Sequence, residues 1–318
     1  MFWGYFKISA LAVAQIFFLA AIGFVLLKKK VLSSEGLNAV SKLVINVTLP
    51  VLIFCQLTRD FNFREFSYWW IFPLLSIVVT LAGFIIGGIF IFLIKGAQKR
   101  LQFLSLVAFQ NSGYLPLGFI SVLFPYEKSS IMLIYLFLFL AGFNMVMFSL
   151  GVHMLTFHKN KKFELMSLFS PPVIATIFSL LFIYLGLNRV LAPMFTKTLF
   201  SIGECTLPLA MFVVGGNLAQ MKIANIDRKP VFLMSLAKLI ILPLIGLFVI
   251  LRLNLPELIG LFIVIQLAMP SATLLSVINS HYNKEDLLIN QGIFFSHILS
   301  LITIPLFLSL FFILNQKF

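Results

Sequence analysis

The sequence predicts an all-α membrane protein with ten transmembrane helices arranged as two inverted five-helix repeats. Three observations lead to this prediction. Hydrophobic residues make up 61% of the 318-residue chain, only 10% of residues are charged, and the mean hydropathy is +1.09. Ten windows are long and apolar enough to cross a bilayer as helices. Motifs in the second half of the chain also repeat motifs of the first half.

Composition excludes a soluble domain, because such a domain needs more charge to cover its surface. The formal charge of +13 does not indicate nucleic acid. The basic residues cluster at the ends of apolar windows, where anionic lipid head groups lie. Cys55 and Cys205 lie inside apolar windows and form no CxxC pair, so we interpret both as small core residues.

The predicted spans contain roughly twenty residues each. They cover about 5–27, 37–57, 68–94, 101–124 and 130–156, and then 172–187, 196–219, 231–251, 258–279 and 290–314. The first window lacks a small-residue cleavage site and precedes three lysines, which indicates a span rather than a signal peptide. We therefore divide the chain into a first repeat at 1–157, a short linker at 158–170 and a second repeat at 171–318.

The distribution of lysine and arginine predicts the orientation. Most of these residues lie in the loops after spans 1, 3, 5, 7 and 9, and positively charged loops face the cytoplasm. Both termini are therefore predicted to lie outside. Arg189 and Lys197 weaken the contrast, because both fall on the predicted outer side. We expect a multi-pass protein of the cell membrane, specifically a bacterial inner or plasma membrane.

The fourth span carries Asn111-Ser112-Gly113-Tyr114-Leu115-Pro116 near its centre. Proline has no N–H, so Pro116 is expected to leave the carbonyl of Ser112 without an intrahelical partner. Irregular backbone at this depth is tolerated only against protein or a water-filled cavity. Two interpretations follow: a proline kink packed in a bundle, or a discontinuous helix that lines a substrate site. A second interruption at 268–272, in the matching place of the other half, favours the discontinuous helix.

The repeat is visible in short motifs. Thr48-Leu49-Pro50 in span 2 and Thr206-Leu207-Pro208 in span 7 are about half the chain length apart. Pro73 in span 3 likewise corresponds to Pro243 in span 8. A repeat of five spans reverses its orientation on the second pass, because five is odd. The pattern therefore indicates inverted pseudo-symmetry, which is typical of secondary transporters.

Six motifs give the chain a resemblance to a known family. They are Asn46–Pro50, Asn111–Pro116, Gly215–Ala219, Lys238–Pro243, Ala268–Ala272 and Ser300–Pro305. The chain resembles a bacterial-type permease of the auxin efflux carrier family, within the bile acid/arsenite/riboflavin transporter superfamily. The resemblance implies that helices 4 and 9 are broken and cross at their breaks. It also implies a scaffold of helices 1, 2, 6 and 7, a transport domain of helices 3–5 and 8–10, and a homodimer through the scaffold.

Members of this family move organic anions, which include auxin in plants and malate or malonate in bacteria. The chain lacks the long cytoplasmic loop after span 5 and the acidic residue inside span 3 that plant carriers have. The resemblance therefore points to an organic anion without indicating auxin itself.

The two interruptions hold the predicted substrate-binding residues. The amide of Asn111 can donate to a carboxylate, and the alternative is a structural hydrogen bond that closes a kink. Pro270 frees the carbonyl of Gln266, and the side chain of Gln266 is also expected to face the cavity and bind substrate. The N-termini of half-helices favour an anion. The other predicted residues flank these positions: Ser112, Tyr114, Pro116 and Ser271.

Lys238 and Glu204 are the ionisable residues that we place inside spans. Lys238 in span 8 either counters a substrate carboxylate or extends to the cytoplasmic face. Glu204 in span 7 corresponds to Asn46 in the first repeat. A charge at that depth costs about 2.5–3.5 kcal/mol. We therefore assign Glu204 and Asn46 either to proton coupling or to a scaffold contact.

The sequence does not indicate enzyme chemistry. Its four histidines have no metal-ligand spacing, and it lacks HExxH, GxSxG and Walker motifs. We expect no enzyme activity, no metal site, no nucleic-acid partner and no cofactor beyond H⁺ or Na⁺ as a coupling ion. The predicted function is secondary transport of a small organic anion, with membrane lipids as the other partner. The alternatives are a sodium- or proton-coupled symporter of the bile-acid type and a facilitative anion channel.

Overall fold

The computed structural model of the protein describes residues 1–156, 168–190, 193–221, 223, 225–282 and 287–315. Within these ranges the fold is all-α and contains no regular strand. The helices are α1 (Phe2–Lys28), α2 (Ser34–Leu43), α3 (Leu49–Asp60), α4 (Ile71–Phe90), α5 (Ala97–Ala108), α6 (Tyr114–Leu123), α7 (Tyr126–Val146), α8 (Val152–Thr156), α9 (Pro171–Tyr184), α10 (Pro193–Glu204), α11 (Thr206–Gln220), α12 (Arg228–Leu236), α13 (Leu242–Leu253), α14 (Glu257–Ala268), α15 (Leu274–Tyr282) and α16 (Leu287–Asn315).

Seven helical stretches of the described residues are long and apolar enough to cross a membrane. They are Phe2–Lys28, Ser34–Asp60, Ile71–Leu93, Tyr126–Leu155, Phe195–Gln220, Arg228–Leu253 and Leu287–Asn315. Helices α6, α9 and α14 are apolar but shorter. The predicted windows 101–124 and 258–279 each contain two helices, α5 with α6 and α14 with α15. Both therefore have the interruption that the sequence predicts.

Prolines shape the spans that are continuous. Pro50 in α3 and Pro243 in α13 each follow a π-helical segment, at Val44–Thr48 and Ala237–Ile241. A proline cannot donate to the carbonyl four residues earlier, and a wider turn at that point accommodates the defect. Pro208 does not follow a π-helical segment. Instead, the helix is interrupted before it, between α10 and α11 at Cys205. The repeated Thr-Leu-Pro motif thus gives two different local structures.

The first and seventh spans cross at backbone contact. A Cβ atom on Gly215 of α11 would lie 1.7 Å from the carbonyl oxygen of Ala20 in α1, and one on Gly23 would lie 2.4 Å from that of Phe212. Glycine at such positions lets helices in a membrane approach closely. Helix α1 also packs on α16, and α3 packs on α9 and α10. Any side chain at Gly215 would push α1 and α11 apart.

Helix α4 fixes the place where the fourth span breaks. A Cβ on its Gly83 would lie 2.6 Å from Cα of Ala108, the last residue of α5. The ring of Phe72 in α4 stacks on Tyr135 of α7 at 4.2 Å and meets Phe262 of α14 at 5.9 Å between centroids. These contacts join spans 3, 4, 5 and 9 into one packed unit that supports the candidate site.

Candidate functional site

The two interruptions meet in the middle of the bundle. The chain leaves α5 at Ala108 and α14 at Ala268, and the extended segments pair antiparallel at Gln110 and Ser271. The backbone N–H of Asn111 donates to the carbonyl of Pro270 at 2.8 Å, and that of Ala272 donates to Phe109 at 2.9 Å. We call this pairing, residues 109–113 with 269–273, the crossing. Each interruption thus supplies the backbone partners that the other lacks, as an apolar surrounding requires.

The prolines act differently from the prediction. Helix α6 starts at Tyr114, so Pro116 lies in its first turn, where an N–H would have no intrahelical acceptor in any case. The carbonyl of Ser112 has no partner within α6, as expected, but the reason is that Ser112 precedes the helix and not that Pro116 breaks a continuous one. Pro116 is buried and does not line the cavity described next. Pro270 follows the end of α14 and prevents its continuation.

A cavity of about 130 Å³ lies beside the crossing. It is enclosed by the crossing, by the first halves of spans 2 and 6, and by the second halves of spans 5 and 7. Its polar lining residues are Ser41, Gln110, Asn111, Ser112, Tyr114, Asn144, Ser170, Asn217 and Thr273. The described lining contains no charged side chain. We refer to this space as the crossing cavity.

Several polar atoms of the crossing cavity have no partner among the described residues. The side-chain oxygen and nitrogen of Gln110 are buried and unbonded, and so is the hydroxyl of Ser112. An unbonded buried polar group typically costs about 1–3 kcal/mol. Native proteins keep few such groups, so each requires an explanation. These groups would bond to a polar ligand in the cavity if their side chains rotated toward it.

Two helix N-termini also face the crossing cavity. Gly113 and Tyr114 at the start of α6 line it, and so do Thr273 and Leu274 at the start of α15. The free N–H groups of a first helical turn carry partial positive charge. Two such ends at one cavity favour an anion, although the described lining contains no lysine or arginine.

His297 of α16 lies directly behind Asn111, and sequence reasoning missed it. The histidine is fully buried, and its Nε2 is 3.5 Å from Nδ2 of Asn111. Its Nδ1 is 2.8 Å from the carbonyl oxygen of Ile293. The expectation that Lys238 and Glu204 are the ionisable residues inside spans was therefore incomplete. The available signal was a histidine inside an apolar span, which marks a functional position by default. The absence of metal-ligand spacing does not remove this signal.

The predicted residues of the ninth span are buried beside the crossing and do not line its cavity. The hydroxyl of Ser271 donates to the carbonyl of Leu106 at 2.7 Å, and its N–H donates to the hydroxyl of Ser296 at 3.2 Å. Ser271 therefore holds the second interruption against α5 and α16. Gln266 is fully buried in α14, and neither atom of its amide has a partner in the described chain. It does not line the crossing cavity.

Lys238 does not reach a membrane surface. It is fully buried in the π-helical segment of span 8, and its ammonium group has no hydrogen-bond partner in the described ranges. This segment packs on α4, α5, α14 and α16. Of the two predicted positions, the extension to the cytoplasmic face is wrong. Lys238 also does not line the crossing cavity.

Glu204 and Asn46 lie away from the crossing. Glu204 ends α10 and is exposed, and Asn46 is exposed in the π-helical segment of span 2. Glu204 lines a second cavity of about 660 Å³ between spans 2, 6 and 7. The charged and amide residues of this second cavity are Arg59, Asn188, Arg189, Lys197 and Glu204. Arg59 forms an ion pair with Asp60 at 3.0 Å and stacks over Phe200 at 4.6 Å.

Sequence reasoning also missed three cavity residues that come from other spans. Ser41, Asn144 and Asn217 line the crossing cavity, and each lies in a helix that shows no interruption there. Asn217 belongs to the motif Gly215–Ala219, which the resemblance had already singled out. A polar residue in an apolar span was the available signal.

These observations define a multi-pass membrane protein with a cavity where two broken helices cross, and the described lining of this cavity contains polar and apolar residues but no charged one. Residues 8–308 match the family model described as membrane transport protein. The chain therefore belongs to this family, the auxin efflux carriers, which is a family of transporters and not of enzymes.

One relative is Protein PIN-LIKES 6 of Arabidopsis thaliana. It is 27% identical to this chain over 123 residues. The matched region covers 38% of this chain and 28% of the relative. The similarity supports the family and leaves the substrate open.

Proposed function

We propose that the protein is a secondary transporter of a small organic anion, such as a mono- or dicarboxylate, with its binding site in the crossing cavity. The observation that carries this proposal is that two helix N-termini line one cavity together with Gln110 and Ser112, whose buried side-chain groups have no partner among the described residues. The helix ends stabilise the negative charge. The amide and hydroxyl groups bind the carboxylate oxygens. A cavity of about 150 Å³ holds benzene, so a volume of about 130 Å³ suits a small carboxylate.

Helix packing supports ten spans in two inverted repeats. A repeat that exchanges spans 1 and 6, and also spans 2 and 7, must turn the contact of α1 with α11 into a contact of α9 with α3. Both contacts are present. The packing of α4 on α5 and α7 in the first half likewise corresponds to that of α13 on α14 and α16 in the second. This symmetry is the basis on which such transporters expose one site to either side in turn.

A polar contact closes the end of the bundle that lies away from the cavity. The hydroxyl of Ser130, at the start of α7, donates to the carboxylate of Asp60 and accepts from the amide of Gln56 at 2.9 Å. Gln56 and Asp60 end span 2, whereas the cavity contacts the first half of that span. We call this contact the gate. It connects a span of the proposed scaffold with a span of the proposed transport domain, so it is expected to break when the cavity opens to the other side.

The charge distribution supports a proposed orientation of this bundle. Span 2 follows the lysine cluster Lys28–Lys30, and its first half lines the cavity. Under the orientation in which positive loops are cytoplasmic, the cavity lies toward the cytoplasm and the gate lies outside. Labelling of a cysteine introduced at Lys42 tests this orientation. Reaction with an impermeant reagent in intact cells would contradict it.

A homodimer through the scaffold is part of this proposal. Asn46 and Glu204 are exposed on spans 2 and 7, and polar side chains at membrane depth are costly unless they are covered or hydrated. Cys205, next to Glu204, is a free and exposed cysteine, so its interpretation as a core residue was wrong. Oxidation in the membrane should therefore crosslink the wild-type protein into a dimer through Cys205, and Cys205→Ser should remain monomeric on a denaturing gel. A wild-type chain that stays monomeric would place the dimer contact elsewhere.

Binding and flux together test the transport proposal. The purified protein is screened by thermal shift against acetate, benzoate, malonate, malate and indole-3-acetate, with and without Na⁺. We expect at least one carboxylate to raise the melting temperature, and we expect Asn217→Ala to remove this shift. In proteoliposomes, labelled substrate should show counterflow, which an alternating-access carrier gives and an anion channel does not. Binding that requires Na⁺ would favour the sodium-coupled alternative, and absence of any shift would contradict the proposed function.

A further inference from the structure

His297 and Asn111 form a buried pair at the back wall of the crossing cavity. Asn111 lines the cavity, while His297 is fully buried behind it, with Asn111 and the carbonyl of Ile293 next to its ring nitrogens. Nδ1 of the ring lies 2.8 Å from the carbonyl oxygen of Ile293. A carbonyl oxygen can only accept, so Nδ1 carries a hydrogen in every protonation state. The second ring nitrogen, Nε2, is therefore the one whose protonation can change.

The protonation of Nε2 determines the orientation of the Asn111 amide. When the ring is neutral, Nε2 is an acceptor and requires the amide nitrogen, Nδ2, to point toward it, as observed at 3.5 Å. When the ring is protonated, Nε2 becomes a donor and requires the amide oxygen instead. Rotation of the Asn111 amide by about 180° satisfies this requirement. The rotation brings Nδ2 from the back wall to the cavity, beside Ser112 and Gln110.

We propose that His297 is a positioning residue that couples proton binding to anion binding through the Asn111 amide. Protonation of Nε2 turns a hydrogen-bond donor of Asn111 toward the cavity, where the substrate carboxylate lies. The bound carboxylate in turn offsets the cost of a buried imidazolium, because an isolated buried charge is strongly disfavoured. One proton and one anionic carboxylate therefore bind together. This inference rests on the proposed function and adds the coupling ion to it.

The surroundings of His297 contain little competing charge. Helix α16 packs on α1, α5, α12, α13, α14, α15 and the π-helical segment of span 8. On these elements Lys238 is the other fully buried titratable group that the structure describes. Nothing links it to His297 through a hydrogen bond. The charged residues on these elements that lie at exposed positions are Lys7, Lys28, Lys99, Arg100, Arg228, Lys229, Arg252 and Glu257.

The positions of the two residues favour His297 over Glu204 as the proton-coupling residue. Glu204 lines the second cavity together with Arg59, Arg189 and Lys197, and it does not contact the crossing. His297 is separated from the crossing cavity only by the side chain of Asn111 in the described structure. Protonation of His297 therefore alters the proposed binding site itself, whereas protonation of Glu204 alters the second cavity. Co-binding of a proton makes the transport of a monocarboxylate electroneutral.

The experiment measures proton uptake and affinity on the full-length protein with benzoate, which stays ionised across the pH range used. In weakly buffered solution, a pH indicator should report uptake approaching one proton per bound benzoate. As the pH rises from about 5.5 to about 7.5, the affinity of the wild-type protein should fall by up to about tenfold per pH unit, because each binding event takes up a proton. His297→Gln should bind benzoate with no proton uptake and no pH dependence. His153→Gln, which changes an exposed histidine of α8, should behave as wild type.

Each outcome decides the inference. A wild-type affinity that does not change with pH, or His297→Gln with wild-type proton uptake, overturns it. The wild-type proton count needs no variant, so it stands even if His297→Gln does not fold, and His297→Asn provides a second substitution. If none of the screened carboxylates binds to the wild-type protein, the proposed function fails and the coupling fails with it. If a carboxylate binds without proton uptake, the coupling alone fails.

Discussion

The crossing cavity and the second cavity lie in the same bundle and differ in the charge of the residues that line them. The polar groups that line the crossing cavity are amides, hydroxyls and two helix N-termini; they lie among mostly apolar side chains, and the described lining has no formal charge. The second cavity is lined by Arg59, Arg189, Lys197 and Glu204. Charged residues are costly deep in a membrane but not near water. The comparison teaches that the proposed substrate site relies on dipoles, whereas the second cavity gathers charged side chains of both signs.

The sharpest test of this comparison replaces one asparagine in each cavity with alanine. Asn111→Ala removes a donor at the crossing, and Asn188→Ala removes one from the second cavity, where it contacts the carbonyl of Thr58 at 3.4 Å. A hydrogen bond to a charged group contributes about 1.5–3 kcal/mol. We expect Asn111→Ala to lower the affinity for substrate by roughly 10- to 100-fold and to abolish measurable uptake. Asn188→Ala should change neither.

The melting temperatures of both variants are the control. They should stay close to the wild-type value, since neither position lies in the hydrophobic core. If Asn111→Ala transports with an unchanged KM, the amide only supports the crossing and the anion binds elsewhere.

The next-largest effect is expected for Gln110→Met, which should change substrate affinity and melting temperature in opposite directions. Gln110→Met keeps the size of the side chain and removes two buried atoms that have no partner in the described structure. We expect substrate affinity to fall about tenfold, since one ligand contact of about 1.4 kcal/mol is lost. The melting temperature without substrate should rise, because the cost of the unbonded amide disappears.

Gln56→Met is the matched control for this substitution. Gln56 donates to Asp60 at 2.6 Å and to Ser130 at 2.9 Å, so its replacement should lower the melting temperature. Equal destabilisation of both variants would show that the amide of Gln110 has a structural role.

A smaller effect is expected at the gate. Ser130→Ala removes the contact with Asp60, whereas Ser129 bonds only within its own helix, to the carbonyl of Tyr126. A lost hydrogen bond of about 1 kcal/mol shifts a two-state equilibrium roughly fivefold. We expect Ser130→Ala to increase the reaction of a cysteine introduced at Leu133, close to the gate, with a membrane-impermeant reagent. Ser129→Ala should leave this reaction rate unchanged. Identical rates in the two variants would exclude the contact as a gate.

The smallest effect belongs to the second cavity. Glu204→Gln should change uptake less than twofold and should leave its pH profile unaltered, because Glu204 is exposed and lines a cavity that does not include the crossing. Uptake measured across the titration range of histidine tests this. A shifted pH optimum would return the coupling role to Glu204 and would contradict the comparison of the two cavities.

Sequence predicted the interruptions well, because proline, glycine and polar residues in an apolar span are local signals. It did not predict what stabilises them, since the pairing of Gln110 with Ser271 joins residues from opposite halves. Ser41, Asn144 and Asn217 reach the cavity only through helix packing. His297 was visible in the sequence, but its role depends on a contact with Asn111 that no spacing rule contains.

The pairing at the crossing has a consequence for how the chain is made. Asn111 and Phe109 bond to Pro270 and Ala272, which follow about 160 residues later. At a synthesis rate of about 5–20 residues per second, the first interruption waits roughly 8–30 s for its partner. During this interval its backbone groups have only water, lipid head groups or an insertion factor to bond with. We therefore expect the two halves, produced as separate chains, to insert stably only when they are made together.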